Sequence, residues 1–230
     1  DASTSRGLGD VYKRQGGNGS NYMYGEDGDD RMQGGDGYDY MEGGAGNDNM
    51  SGGNGYNEMY GQEGDDYIYG GDDKDYIDGG VGDDHLYGGN GENEIYGGDG
   101  NDVIYDGNDG SKIFGGNGND MIYAGGGNDY IDPGEGDDYI QDDHGDDTIV
   151  FKAGYGTDTI SDAAGNNTIL LSGLSIENAE MSRINGSDLK ISFGADNIII
   201  KQYFDGAAFQ NFNINGTMIN DLITALNGSD

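Results

Sequence analysis

From Gly16 onward, one apolar residue recurs at every ninth position, with more polar residues on either side of it. The series reads Met23, Met32, Met41, Met50, Met59, Ile68, Ile77, Leu86, Ile95, Ile104, Ile113, Ile122, Ile131, Ile140 and Ile149. Runs such as Tyr22-Met23-Tyr24 and Tyr130-Ile131-Asp132 predict very short strands whose middle side chain faces inward. The positions between them are rich in Gly, Asn and Asp, the residues of tight turns. A nine-residue period held without a gap from Gly16 to Val150 predicts a solenoid in which every unit supplies one core side chain. After a two-residue slip at Phe151-Lys152, two looser units follow at 153–161 and 162–170. A longer period of 36 is superimposed, because Gly-Gly-Asn-Gly with Asn at the sixth position recurs at Gly16, Gly52 and Gly88 (Asn21, Asn57 and Asn93).

Beyond Leu171 the pattern changes. Asp188 to Phe193 alternates as a half-buried strand, Asn197 to Phe204 reads as a more buried one, and Gly194-Ala195-Asp196 forms a hairpin-like turn between them. From Met218 to Asn227, Ile219, Leu222, Ile223 and Leu226 share one face of a short amphipathic helix, with Thr217 as its cap and Gly228 as its stop. Such a segment can cover the open end of a solenoid. Residues 1–15 fit neither pattern, and Asp10 to Gln15 resembles the translated end of a sequencing transposon. Three segments are therefore expected: 1–15 as a non-repeat leader, either foreign sequence or a natural leader, 16–170 as the repeat, and 171–230 as a cap and secretion-signal region. Deleting the leader is expected to cost little stability.

Composition shows what the apolar pattern lacks. One inward residue in nine cannot offset the backbone entropy of ordering, about 1–2 kcal/mol per residue. The chain of 230 residues has 49 Gly, no Cys, and a formal charge of -35. Between residues 16 and 150, 34 acidic residues face 3 basic ones, a net of −31. That field excludes nucleic acid and anionic membranes as principal partners and points to cations. No apolar run approaches the roughly 18 residues of a membrane span.

The nonapeptide reads G-G-x-G-x-D-x-U-x, with U apolar. Its glycines permit positive φ and close backbone approach, so that carbonyl oxygens converge, and the sixth-position Asp brings a carboxylate to the same turn. Fifteen such units in register resemble the calcium-binding repeat of the RTX (repeats-in-toxin) family, whose pattern is a general example of a Ca²⁺-binding β-helix repeat. The resemblance covers 16–170, and the segment to about Phe204 resembles the region that often closes such arrays. It implies an all-β fold: a parallel β-roll (a calcium-binding β-helix solenoid) with a small C-terminal β-rich cap carrying a short helix. It also implies two units per turn, stacking of units eighteen residues apart, multiple Ca²⁺ ions between stacked turns along both edges, and a type I secretion signal near the carboxyl end.

On that arrangement the sixth positions form two columns. The even units carry Asp30, Asp48, Asp66, Asp84, Asp102, Asp120 and Asp138 without interruption. The odd units carry Asn21, Asp39, Asn57, Asp75, Asn93, Ser111, Asp129 and Asp147. The Asp and Asn residues of both columns are the candidate Ca²⁺ ligands, and weaker affinity is expected along the odd edge, where neutral side chains interrupt the charge.

Other chemistry is sparse. No glycine stretch leads into the Lys-Ser or Lys-Thr of a phosphate loop, no EF-hand loop is present, and His85 and His144 are too far apart for a zinc-protease helix. His85 is expected on the outer strand face and His144 in a turn. Tyr69, Tyr87, Tyr105 and Tyr123 occupy the ninth position of consecutive even units and predict a stacked outer ladder. No catalytic constellation is seen. The expected function is a secreted, extracellular calcium-binding module that folds on meeting Ca²⁺ outside the cell, forming the C-terminal part of a larger protein exported by type I secretion machinery. Two other readings are an adhesive or structural element, whose roll surface meets a carbohydrate or another surface, and the terminus of a secreted hydrolase or polysaccharide-modifying enzyme.

Overall fold

A computed structural model describes residues 3–6, 13–162, 164–204 and 212–219. Along the repeat the chain crosses from one sheet to the other every nine residues. Strand partners within a sheet are therefore eighteen residues apart and parallel: Met23 pairs with Met41, and Met41 with Met59. Among the described residues each sheet has 12 strands. The slip at Phe151-Lys152 widens the spacing to twenty, pairing Ile140 with Ile160 and Ile149 with Ile169. The fold is the expected β-roll.

All fifteen inward residues from Met23 to Ile149 are between 0% and 3% exposed. Most strands of the repeat are longer than the expected three residues, Val103–Tyr105 being an exception. Tyr67–Asp72, for example, continues through the first three positions of the next unit, whose glycines also pair across turns (Gly53 with Gly71). This extension matters for the site, because side chains alternate between faces along a strand. Positions six, eight and one all point inward, as the burial of Asp39, Met41 and Gly43 in Asp39–Ala45 shows. The sixth-position carboxylate, the core side chain and the first-position residue share one interior face.

At the C-terminal end, Glu180–Ile184, Asp188–Phe193 and Asp196–Ile200 form an antiparallel set, and Asp196–Ile200 pairs in parallel with Thr157–Asp162 to extend one sheet. Asn213–Ile214 extends the other by pairing with Thr168–Ser172. Leu189, Ile191, Ile198, Ile200 and Tyr203 are buried over the end of the core. The hairpin at Gly194-Ala195 lies where expected, but the strand expected to reach Phe204 stops at Ile200. There the chain turns, with Gln202 at φ 53°, and Asp188 accepts bonds from Lys201 Nζ at 2.6 Å and Gln202 N at 2.9 Å. Nearly all of the expected helix from Met218 to Asn227 lies outside the described residues. At the other end, Ser3–Arg6 pairs with Asn21–Asp27, and Lys13–Asn18, which runs into the first unit, pairs with Arg31–Asp36.

Candidate metal centre

The sixth-position residues form two buried columns. Along the even edge each backbone N–H donates to Oδ1 of the aspartate one turn on: Asp48 to Asp66 at 2.6 Å, Asp66 to Asp84 at 2.7 Å, Asp84 to Asp102 at 2.8 Å, and Asp102 to Asp120 at 2.9 Å. The ladder continues from Asp120 to Asp138 and then to Asp158. The second oxygen, Oδ2, of Asp48, Asp66, Asp84, Asp102, Asp120, Asp138 and Asp158 is buried and meets no hydrogen-bond donor. A buried carboxylate oxygen without a donor costs several kcal/mol unless a cation or proton meets it.

The first-position glycines show where these oxygens point. A Cβ on Gly61 would sit 2.2 Å from Asp66 Oδ2 and 2.4 Å from the Gly79 carbonyl oxygen, so a side-chain oxygen of one turn and a carbonyl of the next face a common point. Gly79 repeats the arrangement with Asp84 Oδ2 and the Gly97 carbonyl. This corrects the reading of the three glycines as one class. Positive φ occurs at positions two and four, whereas position one needs glycine because oxygens crowd it. Hard oxygens converging between turns are the donor set Ca²⁺ takes, six to eight at about 2.3–2.6 Å.

The odd edge keeps the ladder but not the charge. Asn21 N donates to Asp39 Oδ1 at 2.9 Å, Asn57 N to Asp75 Oδ1 at 2.8 Å, Asp75 N to Asn93 Oδ1 at 2.9 Å, and Asn93 N to Ser111 Oγ at 2.9 Å. It then runs through Asp129, Asp147 and Asn167. At Gly52 the atom facing the common point is Asn57 Nδ2, a donor rather than an acceptor. The neutral residues therefore preserve backbone pairing while removing charge from the edge.

The electrostatics agree. Burial, opposed by the ladder bond and assisted by the neighbouring aspartates, pushes the carboxyls of Asp66, Asp84, Asp102 and Asp120 up to about 7, and those of Asp48 and Asp138 to about 6. On the odd edge burial drives Asp75 and Asp129 to about 7. A dication among them would remove the repulsion that stacking creates.

The family model for the RTX calcium-binding nonapeptide repeat (4 copies) matches in overlapping stretches, 15–41, 24–59, 42–77, 51–86, 69–104, 105–140, 134–157 and 152–172. The chain belongs to the RTX calcium-binding repeat family. Proteins of this family bind Ca²⁺ at multiple sites through a repeat domain that is structural rather than catalytic. No curated protein matches the chain significantly. Among solved structures it is similar to the extracellular lipase LipA from Serratia marcescens, with 15% identity and a TM-score of 0.34, over 91% of this chain and 39% of the lipase.

Sequence reading missed several RTX acids. Asp158 continues the even column, and its signal was the sixth position of the looser unit 153–161. Asp106, Asp142 and Asp162 stand at position one, where the unit pattern has glycine; the inward direction of Asp142 and Asp162 follows only from the longer strands, whereas Asp106 lies just past the short strand Val103–Tyr105. Asp106 Oδ1 accepts from Asn93 Nδ2 at 2.7 Å, which brings a carboxylate to the odd edge where positions six are neutral. The tyrosine ladder stacks as expected, Tyr69 on Tyr87 at 4.6 Å and Tyr105 on Tyr123 at 4.5 Å between ring centres. His85 stacks on Tyr67 at 4.6 Å.

Proposed function

We propose that this RTX chain is a calcium-gated folding module, exported unfolded through a type I secretion route and ordered by Ca²⁺ outside the cell as part of a longer protein. The observation that supports this most is the even column, in which each carboxylate from Asp48 to Asp138 has one oxygen held by the turn behind it and one buried oxygen free of donors. The ligands are Asp30, Asp48, Asp66, Asp84, Asp102, Asp120 and Asp138 on the even edge and Asp39, Asp75, Asp129 and Asp147 on the odd edge, with Asn21, Asn57 and Asn93 as weaker contributors. Where Ca²⁺ is scarce the stacked charges oppose the roll, and where it is abundant binding stabilises only the folded form. Circular dichroism with and without chelator tests this. The expected result is a β-rich chain in millimolar Ca²⁺, a largely disordered one in chelator, and little recovery with Mg²⁺, which demands tighter octahedral geometry. An unchanged β signal after chelation overturns the proposal.

A surface role is a second reading, supported by the aromatic ladder, in which Tyr69 and Tyr105 remain 40% and 38% exposed. Flat stacked rings of this kind can receive a carbohydrate or a second solenoid. Glycan-array binding by the Ca²⁺-loaded chain, lost on replacing Tyr87 and Tyr105 by Ala, would favour it.

A further inference from the structure

Position one faces the interior, and in most units it is glycine because the sixth-position carboxylate occupies the space. Asp142 places a second carboxylate there. It is 2% exposed, and neither of its oxygens meets a hydrogen-bond donor. Its neighbours on the odd edge are Asp129 and Asp147, consecutive members of the column, with Asp129 N donating to Asp147 Oδ1 at 2.9 Å. One carboxylate oxygen from each of Asp129, Asp142 and Asp147 lies within 4.8 Å of the others. Asp129 Oδ2 and Asp147 Oδ2 also lack donors, so four oxygens at this point have no protein partner.

The other first-position aspartates are different. Asp162 pairs with Asp142 across the sheet, but its Oδ1 accepts from Ala164 N at 3.1 Å and its Oδ2 from Asn167 Nδ2. Asp106 is bound by Asn93 through Oδ1. Protein donors therefore engage both of these carboxylates and leave Asp142 without one. Three ionised carboxylates cannot share this low-dielectric interior, so either a cation lies between them or burial and the neighbouring Asp147 keep Asp142 protonated.

We propose that Asp129, Asp142 and Asp147 form a distinct cation site, set apart from the column sites by a first-position carboxylate, which takes one Ca²⁺ more tightly than any other site in the chain. The inference rests on the calcium reading above, and its reason is charge. Three carboxylates oppose one dication here, whereas column gaps offer two or one, and Ca²⁺ affinity rises with the number of charged ligands in a rigid site. The same excess charge favours a trivalent lanthanide over Ca²⁺ more strongly here than at the columns.

Equilibrium dialysis of the full chain against graded free Ca²⁺, with bound metal counted, tests the site. At limiting Ca²⁺ the native chain should hold one ion at a free concentration about tenfold below that filling the remainder. Asp142→Gly, which installs the residue most units carry, and Asp142→Asn, which keeps the shape, should both lose that first ion yet still fold at saturating Ca²⁺. Terbium should displace this ion first in the native chain and show no such preference in either variant. A native chain without a tight class, or variants that retain it, overturns the proposal while leaving calcium-driven folding intact. Absence of Ca²⁺ uptake altogether overturns both.

Discussion

The backbone N–H of Asp66 donates to Oδ1 of Asp84 one turn away at 2.7 Å, while Asp84 Oδ2 is buried and faces no donor. One side chain thus performs two separable tasks, pairing the backbone and presenting charge. Asp84→Asn keeps an acceptor for Asp66 N and removes the charge, whereas Asp84→Ala removes both. Asp84→Asn should raise the Ca²⁺ midpoint of folding severalfold. Asp84→Ala should raise it further and cost an additional 1–3 kcal/mol or so in saturating Ca²⁺, because it orphans a buried N–H. Asn93→Ala, on the odd edge, likewise orphans a buried N–H, that of Asp75, but removes no charge, and should shift the midpoint less than Asp84→Ala. Calcium titrations followed by circular dichroism make the comparison, and equal midpoints for Asp84→Ala and Asn93→Ala would show that carbonyl oxygens dominate binding.

Gln62 occupies a second position, where most units have glycine, and adopts φ 81°. A side chain in that region is strained by roughly 1 kcal/mol relative to glycine. Gln62→Gly should therefore raise stability in Ca²⁺ by about 0.5–1 kcal/mol, less whatever the freer unfolded chain takes back. Gly61→Ala, one residue earlier, should do the reverse and impair Ca²⁺ binding, since its Cβ would collide with Asp66 Oδ2 and the Gly79 carbonyl. Thermal melts of the two variants at fixed free Ca²⁺ distinguish strain from crowding.

These two neighbouring positions show how far the sequence could be read. The nine-residue period gave the register, the core column and the sixth-position acids, because each repeats with its own side-chain type. Position one reads like the other glycines, since composition alone does not separate a residue that needs positive φ from one that needs empty space. The extension of the strands past position nine is what turns first-position residues such as Gly61 and Asp142 into the interior, beside the sixth-position acids. For the same reason nothing in Asp142-Asp143-His144 distinguishes the two acids by sequence, although Asp143 is exposed and Asp142 is buried. The end of the Asp196–Ile200 strand was also invisible, being set by the bonds Asp188 makes to Lys201 and Gln202.

Tyr87 lies between Tyr69 and Tyr105, with ring centres 4.6 and 5.2 Å away and planes within 7°. Tyr87→Ala removes two stacked contacts and should cost about 1–2 kcal/mol at saturating Ca²⁺. Tyr69→Ala removes one stacked ring contact and should cost roughly half as much. Denaturant unfolding of both variants in Ca²⁺ is the measurement. Indifference to Tyr87→Ala would shift the case for the ladder from stability toward recognition of an outside partner.

The raised carboxyl values make folding depend on pH in a definite direction. Burial, moderated by the ladder bond and reinforced by stacked neighbours, moves Asp66, Asp84, Asp102 and Asp120 from an ordinary 3.8 to about 7 in the metal-free roll. Between those limits the folded form binds more protons than the unfolded one, so stability of the metal-free roll is greatest below about pH 4 and is lost as pH rises through 7. In calcium-depleted solution the β signal should therefore grow as pH falls from 8 toward 5. Protons and Ca²⁺ compete for the same oxygens, so the Ca²⁺ midpoint at pH 6 should lie above that at pH 8. Relief of the chain's overall charge could produce the first effect without the column, and salt separates the two causes. About 0.5 M NaCl at pH 8 screens exposed charges but leaves the buried carboxyls ionised. Full recovery of β structure by salt alone, or a Ca²⁺ midpoint that does not move with pH, would show that the buried aspartates are not what holds the roll open.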